Sequence, residues 1–362
     1  MKWLRKLEDF RLLPLFVVIS MAIGIGIGKA FGISKVELTP PIDAIIAIFK
    51  GTYEFTIANS LALGVVVGLF LMMYPAMTNV RLEDLGKAFR SPRALLLVIF
   101  FNFAIWPFFM WALANLFLRD QPELHTGVVL YGIAPCIAMV IVFTFLAKGN
   151  VALALVLVAF NSIIQMLLIP LYAKLLIGQV QFNVLLVAES VGLYLGLPLA
   201  LGFLTRRIGV ARMGEVGFER FRTGLNVVSI LGLLFTLVVM FGLKGDAIIE
   251  TPIIILRVAI PMTIFFFVVF HVVYFIAWKL GLNYEDAAAC AFNSTGRDFE
   301  IAIAIAITAF SPMVALATVV GPLIEVPIML TLVWIARQTG KRLFLSAPDS
   351  SISSNSTEGT RV

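Results

Sequence analysis

Charge is scarce in this chain. Of 362 residues only 13% are Asp, Glu, Lys or Arg, while 61% are hydrophobic. With so positive a mean hydropathy, a water-soluble domain of this size is excluded, and the chain reads as a polytopic membrane protein. Cysteine is scarcer still: Cys136 and Cys290 both lie in apolar segments. Neither a disulfide framework nor a multi-thiol metal motif can be read from that spacing. The sequence also lacks a glycine-rich phosphate loop and zinc-ligand spacing, so no cofactor is expected. The net charge of +6 does not argue for nucleic acid, because the basic residues gather between apolar runs, where membrane orientation accounts for them.

Long apolar runs are what the chain has in quantity. Windows long enough to cross a bilayer, about 20 residues each, fall near 12–32, 57–78, 94–118, 125–146, 151–177, 183–204, 225–243, 252–280, 284–310 and 313–336. The basic start, Lys2, Arg5, Lys6 and Arg11, precedes a run without a convincing cleavage site, so it reads as a retained first helix rather than a signal peptide. The stretch 36–55, with Asp43, Lys50 and Glu54, reads as interfacial. Under this ten-span reading most of the 27 Lys and Arg fall on one side, and only Lys29, Lys35, Lys50, Arg119, Lys174 and Lys244 on the other. The positive-inside rule then puts both termini in the cytoplasm.

Five spans in each half give the halves opposite polarity, the mark of an inverted repeat. The expected units are 1–178 and 179–343, followed by a Ser-rich tail, 344–362, expected to be disordered and cytoplasmic. Sliding the chain so that Ala152-Leu153-Ala154 falls on Ala315-Leu316-Ala317 also puts Cys136 on Phe299, Ile137 on Glu300 and Ser162 on Glu325.

Two interruptions thereby come into register: GIAPCIAMVIVF at 132–143 and NSTGRDFEIAIAIAI at 293–307. Hydrocarbon penalises broken backbone and unpaired charge, so both features indicate surroundings of protein or water, and a candidate substrate site. Pro135 removes a backbone donor and frees carbonyls to face a ligand. Cys136 is either a small buried hydrophobe or a soft sulfur ligand; Cys290 reads as packing. Glu300 and Asp298 flank the second break with Arg297 between them, either as a structural ion pair or as a proton-binding group. Glu325, between Pro322 and Pro327, needs a cavity. Asn161 and Gln165 share a helix face and serve either a site or helix-helix adhesion. Glu189, Arg257 and His271 read as snorkelling or locally paired. No interval between spans could hold a nucleotide-binding domain, so transport would be secondary or depend on a separate ATPase.

At these residues the chain resembles the arsenite efflux permeases, the yeast-type arsenical-resistance family of the bile acid/sodium symporter superfamily. The likeness rests on APCIAMVIVF with LAKGNVALALVLVAFNSI after it (134–164), FEIAIAIAI (299–307) and ALATVVGPLIEVPIML (315–330). It implies an all-α fold of ten transmembrane helices in two inverted five-helix repeats, whose discontinuous fourth and ninth helices form a crossed core. It also implies export of As(III), often Sb(III), in exchange for protons. Cys136 then matches the essential cysteine, and Glu300 and Glu325 the acidic positions. Phe143 and Gly296-Arg297-Asp298 depart from the family's pattern.

The expectation is therefore a plasma-membrane antiporter and not an enzyme. Cys136, Pro135, Asn161 and Phe299 would meet the substrate, with Cys136 the As(III) ligand; Glu300, Glu325, Asp298 and Arg297 would handle the coupling proton. The rival expectation is a sodium-coupled importer of an organic anion, with Glu300, Asn161 and unwound carbonyls holding sodium and a helix N-terminus facing the anion.

Overall fold

A computed structural model describes residues 13–33, 46–48, 50–54, 56–78, 91–137, 139–178, 182–250 and 252–344. Every regular element among them is helical: α1 (Leu13–Phe31), α2 (Ile57–Met77), α3 (Pro92–Phe117, with a π turn at Phe101–Ile105), α4 (Pro122–Gly132), α5 (Met139–Leu146) and α6 (Val151–Leu176). The second half holds α7 (Val184–Val191), which runs through a π turn at Gly192–Gly196 into α8 (Leu197–Glu250), then α9 (Pro252–Lys279), α10 (Tyr284–Thr295), α11 (Phe299–Ala309) and α12 (Pro312–Leu343).

Five helical stretches are long and apolar enough to cross a membrane: Pro92–Phe117, Val151–Leu176, Val184–Val239, Ile255–Lys279 and Met313–Gly340. Their outer faces carry Leu96, Leu116, Leu167, Leu171, Leu175 and Trp334 in exposed positions. That is costly in water and neutral in lipid, so the chain is a multi-pass membrane protein. The N-terminal basic cluster, Arg81, Lys87 and Arg90, most of the stretch read as interfacial, and the tail 345–362 lie outside the described residues. Phe344, expected to begin the tail, instead packs on the rings of Tyr274 and Tyr284, with centroids 5.5 and 5.8 Å away.

The basic segment between the sixth and seventh apolar runs, Arg206 to Arg222, is helical. Within α8 only Gly214 leaves helical geometry (φ 69°, ψ 169°), a conformation closed to L side chains. The chain reverses there: a Cβ on Gly209 would lie 2.5 Å from the Phe218 ring, so the two arms pack together. Arg206 closes this hairpin, 3.5 Å from Glu215 and with its Cζ 5.5 Å above Phe218.

The helices sort into two groups. In the first, α1 and α2 lie against the second arm of α8 at backbone contact. A Cβ on Gly28 would fall 2.2 Å from the Gly242 carbonyl oxygen, and one on Gly232 2.9 Å from the Met72 nitrogen. Small residues permit such approach where lipid supplies no hydrophobic drive between helices. In the second group α3 to α6 and α9 to α12 enclose the buried core.

Helix caps fix the directions within this second group. Asn150 accepts from Leu153 N at the start of α6, and its Nδ2 donates to Asp286, 2.7 Å away, at the start of α10. Ser311 caps α12 and donates to Glu123 at the start of α4. With α6 and α10 starting together, and α4 and α12 starting together, α4–α5 and α10–α11 run in opposite directions.

Candidate functional site

Two helices break inside the core. The first stops at Gly132 and resumes at Met139; the second stops at Thr295 and resumes at Phe299. In lipid the freed backbone groups must find partners within the protein, and each break satisfies the other. Pro135 and Arg297 form an isolated antiparallel bridge. Cys136 N donates to Gly296 O at 3.0 Å, and Asp298 N donates to Ala134 O at 2.8 Å. Proline fits because its missing donor is not needed there.

Gly296 is required by close approach. A Cβ there would lie 2.4 Å from Val140 Cγ1, 3.1 Å from Cys136 Cβ and 3.5 Å from Glu325 Oε1. Backbone, sulfur-bearing side chain and carboxylate thus converge on one point. Cys136 is buried and not disulfide-bonded.

Glu325 enters from α12, where Pro322 and Pro327 interrupt the hydrogen-bond ladder. Its Oε1 accepts from Arg297 N at 3.2 Å, and its Oε2 accepts from the Tyr131 hydroxyl on α4. These two bonds offset a desolvation cost that would otherwise reach several kcal/mol, an order-of-magnitude figure for a buried ion. Tyr131 sits directly over Gly321, where a Cβ would fall 2.1 Å from its ring.

Arg297 is fully buried. Its Nη1 donates to Gly132 O at 3.3 Å and its Nη2 to Ser294 O, while its Cζ stands 5.0 Å above the Phe265 ring. An ion pair with Asp298, one of the two readings of this break, is not formed. Asp298 instead caps α11 through Oδ1, which accepts from Ile301 N at 3.0 Å, because a helix restarting in the core needs its first amides satisfied. Glu300, in the first turn of α11, has its carboxyl beside that of Asp298. Asp298 Oδ2 and Glu300 Oε2 are buried and accept from no other described residue, so the two carboxyls have chiefly each other. Phe299 opens α11 and is buried.

Asn161 joins this region through residues that sequence reasoning passed over. Asn102, in the π turn of α3, donates through Nδ2 to Asn161 Oδ1 and to Asn293 O, both at 3.3 Å. Asn102 Oδ1, Asn161 Nδ2, Asn293 Oδ1, Ser294 Oγ and both polar atoms of Gln165 are buried with no partner among the described residues. Tyr131, Asn102 and Asn293 had a signal in common: each is a polar group within an apolar run, able to hydrogen-bond where lipid cannot. The remaining polar residues stand apart. Cys290 faces Ala94 O at 3.9 Å, Glu189 is exposed, Arg257 pairs with Asp120 at 2.5 Å, and His271 Nδ1 lies 2.7 Å from Phe267 O. Among the described residues no group of three or more His, Cys, Asp or Glu could hold a metal ion.

Residues 66–251 match the Sodium Bile acid symporter family, and whole-chain relatives agree. The chain is 32% identical to the arsenical-resistance protein Acr3 of Corynebacterium glutamicum, over 95% of this chain and 93% of that protein. It is 33% identical to Acr3 of Alkaliphilus metalliredigens, over 91% and 92%. The chain belongs to the sodium bile acid symporter family, and within it to the Acr3 group. An uncharacterized transporter of Synechocystis, slr0944, is 34% identical over 90% of this chain and 88% of its own length. The family and the names of these relatives point to a transporter rather than an enzyme.

Proposed function

We propose that this protein is a secondary transporter that exports arsenite, and antimonite as a second substrate, across the plasma membrane in exchange for protons. The observation that carries the reading is the bridge of the two breaks, which sets Cys136 and Glu325 around Gly296; the Acr3 relatives name the substrate class. Arsenite at neutral pH is an uncharged trihydroxide, so it enters a buried site without the cost of desolvating an ion. The Cys136 sulfur bonds to arsenic in place of one hydroxyl, which leaves as water with the thiol proton. One As–S bond is reversible, whereas three would trap the substrate.

In this reading Pro135 keeps the backbone open at the sulfur, and Asn161 and Phe299 line the substrate's surroundings. Glu300 and Glu325 exchange the coupling proton with the two sides, while Asp298 and Arg297 hold the second break in place. The opposite running of α4–α5 and α10–α11 supports ten spans in two inverted five-helix repeats, divided near residue 178, with both termini cytoplasmic. Alternating access then comes from rocking the glycine-packed group, α1, α2 and the second arm of α8, against the core.

Everted vesicles containing the protein test this. They should accumulate arsenite when a proton gradient is imposed, and Cys136→Ala vesicles should not. Normal accumulation by Cys136→Ala would remove the sulfur from the mechanism. The second reading, sodium-coupled import of an organic anion, is favoured by one relative, a probable sodium/metabolite cotransporter of rice, 28% identical over 38% of this chain. Sodium-stimulated uptake of such an anion, indifferent to Cys136, would select it.

A further inference from the structure

The buried guanidinium of Arg297 has unusual partners. No Asp or Glu among the described residues lies within ion-pair distance of it. Its Nη1 and Nη2 point instead at the carbonyls of Gly132 and Ser294. Gly132 is the last residue of α4 and Ser294 lies in the last turn of α10, so the charge stands where the negative ends of two half-helix dipoles converge. The Phe265 face, 5.0 Å from Cζ, adds a third attraction. Carbonyls at the C-terminal ends of broken helices are also the groups with which secondary transporters hold a coupling cation.

We propose that Arg297 is a tethered cation occupying the place of a transported alkali ion, so that the bridge keeps its positive charge throughout the cycle and binds no sodium. The inference deepens the proton-coupled reading above and rests on it. An ion that leaves with each turnover would carry energy from a sodium gradient; a covalently held guanidinium cannot, which leaves coupling to the carboxyls Glu300 and Glu325. Arg297 is thus a residue that selects the coupling ion rather than one that meets the substrate. Its removal should leave the Gly132 and Ser294 carbonyls without their donor and open to a sodium ion.

The test is a salt series on the full chain purified in detergent, reading the thermal unfolding midpoint in sodium, potassium and choline chloride at equal ionic strength. Wild type and Arg297→Lys should give one midpoint in all three salts. Arg297→Ala and Arg297→Gln should unfold earlier in choline and regain stability as sodium is raised, by the linkage that stabilises any protein whose folded state binds a ligand. Sodium stabilisation of wild type would overturn the proposal. So would monodisperse Ala and Gln variants with midpoints identical in the three salts, or variants that sodium fails to restore when choline does not support folding. No arsenite is needed, so wild-type vesicles that fail to move arsenite would sink the parent reading and leave this one to the salt series.

Discussion

Residues 133–137 interrupt their helix with Pro135 and no charge, whereas residues 296–298 interrupt theirs with Arg297 and Asp298. The first break mainly offers acceptors, the carbonyls of Gly132 and Ala134; the second offers donors, the Arg297 guanidinium and the Asp298 amide. One bond runs the other way, from Cys136 N to Gly296 O. The charged groups at the second break satisfy backbone that lipid cannot. Because the second break carries that load, the first can place a sulfur at the crossing. Removing groups from one break at a time separates the two roles.

Glu325→Ala should have the largest effect on folding. It strips partners from both the Tyr131 hydroxyl and the Arg297 amide, two buried donors whose loss together costs about 3 kcal/mol. Thermal unfolding in detergent measures it; a midpoint unchanged from wild type would mean that the second break does not depend on α12. Gly296→Ala comes next. Its new methyl would sit 2.4 Å from Val140 Cγ1 and 3.1 Å from Cys136 Cβ, an overpacking worth about 2 kcal/mol. Arsenite transport should fall with it, because the sulfur is displaced. Tyr131→Phe keeps the ring over Gly321 and deletes one hydrogen bond, so about 1 kcal/mol is expected. If Tyr131→Phe costs as much as Glu325→Ala, the hydroxyl rather than the Arg297 amide is the principal partner of the carboxylate.

Much of this site was legible because the bilayer makes polar residues conspicuous. Pro135, Cys136, Glu300 and Glu325 stood out in apolar runs, and the structure gathers both breaks at one bridge. Pairing was less legible. Arg297 next to Asp298 invites an ion pair, yet the guanidinium turns to the carbonyls of Gly132 and Ser294, and Asp298 caps α11. Neither demand appears in the sequence, since both arise only once two helices end beside each other. Tyr131 and Asn102 were missed for the same reason: their partners, Glu325 and Asn161, are remote in the chain. The helical arms about Gly214 were hidden because a basic stretch between apolar runs looks like a loop unless the glycine's conformation is known.

Cys136→Ala separates the two breaks more sharply than any change at the second. Alanine keeps the amide that donates to Gly296 O and removes only the sulfur, so stability should move by no more than about 1 kcal/mol. Transport of arsenite should nevertheless be lost, and cells relying on the protein should become arsenite-sensitive. A variant that loses stability and transport in proportion would instead make Cys136 a packing residue, as Cys290 is.

The smallest effect belongs to a charged pair outside the core, and it sharpens what burial contributes. Arg257 and Asp120 meet at 2.5 Å but both are exposed, so water and salt screen them. The hydrogen bond from Arg257 holds the Asp120 carboxyl below its usual range. Any stability it lends is therefore present above the unfolded carboxyl's pKa and is lost as acid protonates the folded form. Arg257→Ala should leave the unfolding midpoint at neutral pH unchanged within error, and Asp120→Asn should do the same. Raising the salt concentration should abolish whatever acid-side difference remains. If Arg257→Ala proves as damaging as Glu325→Ala, proximity alone would explain both pairs; if it is silent, the weight of the second break comes from its burial among groups that have no water to turn to.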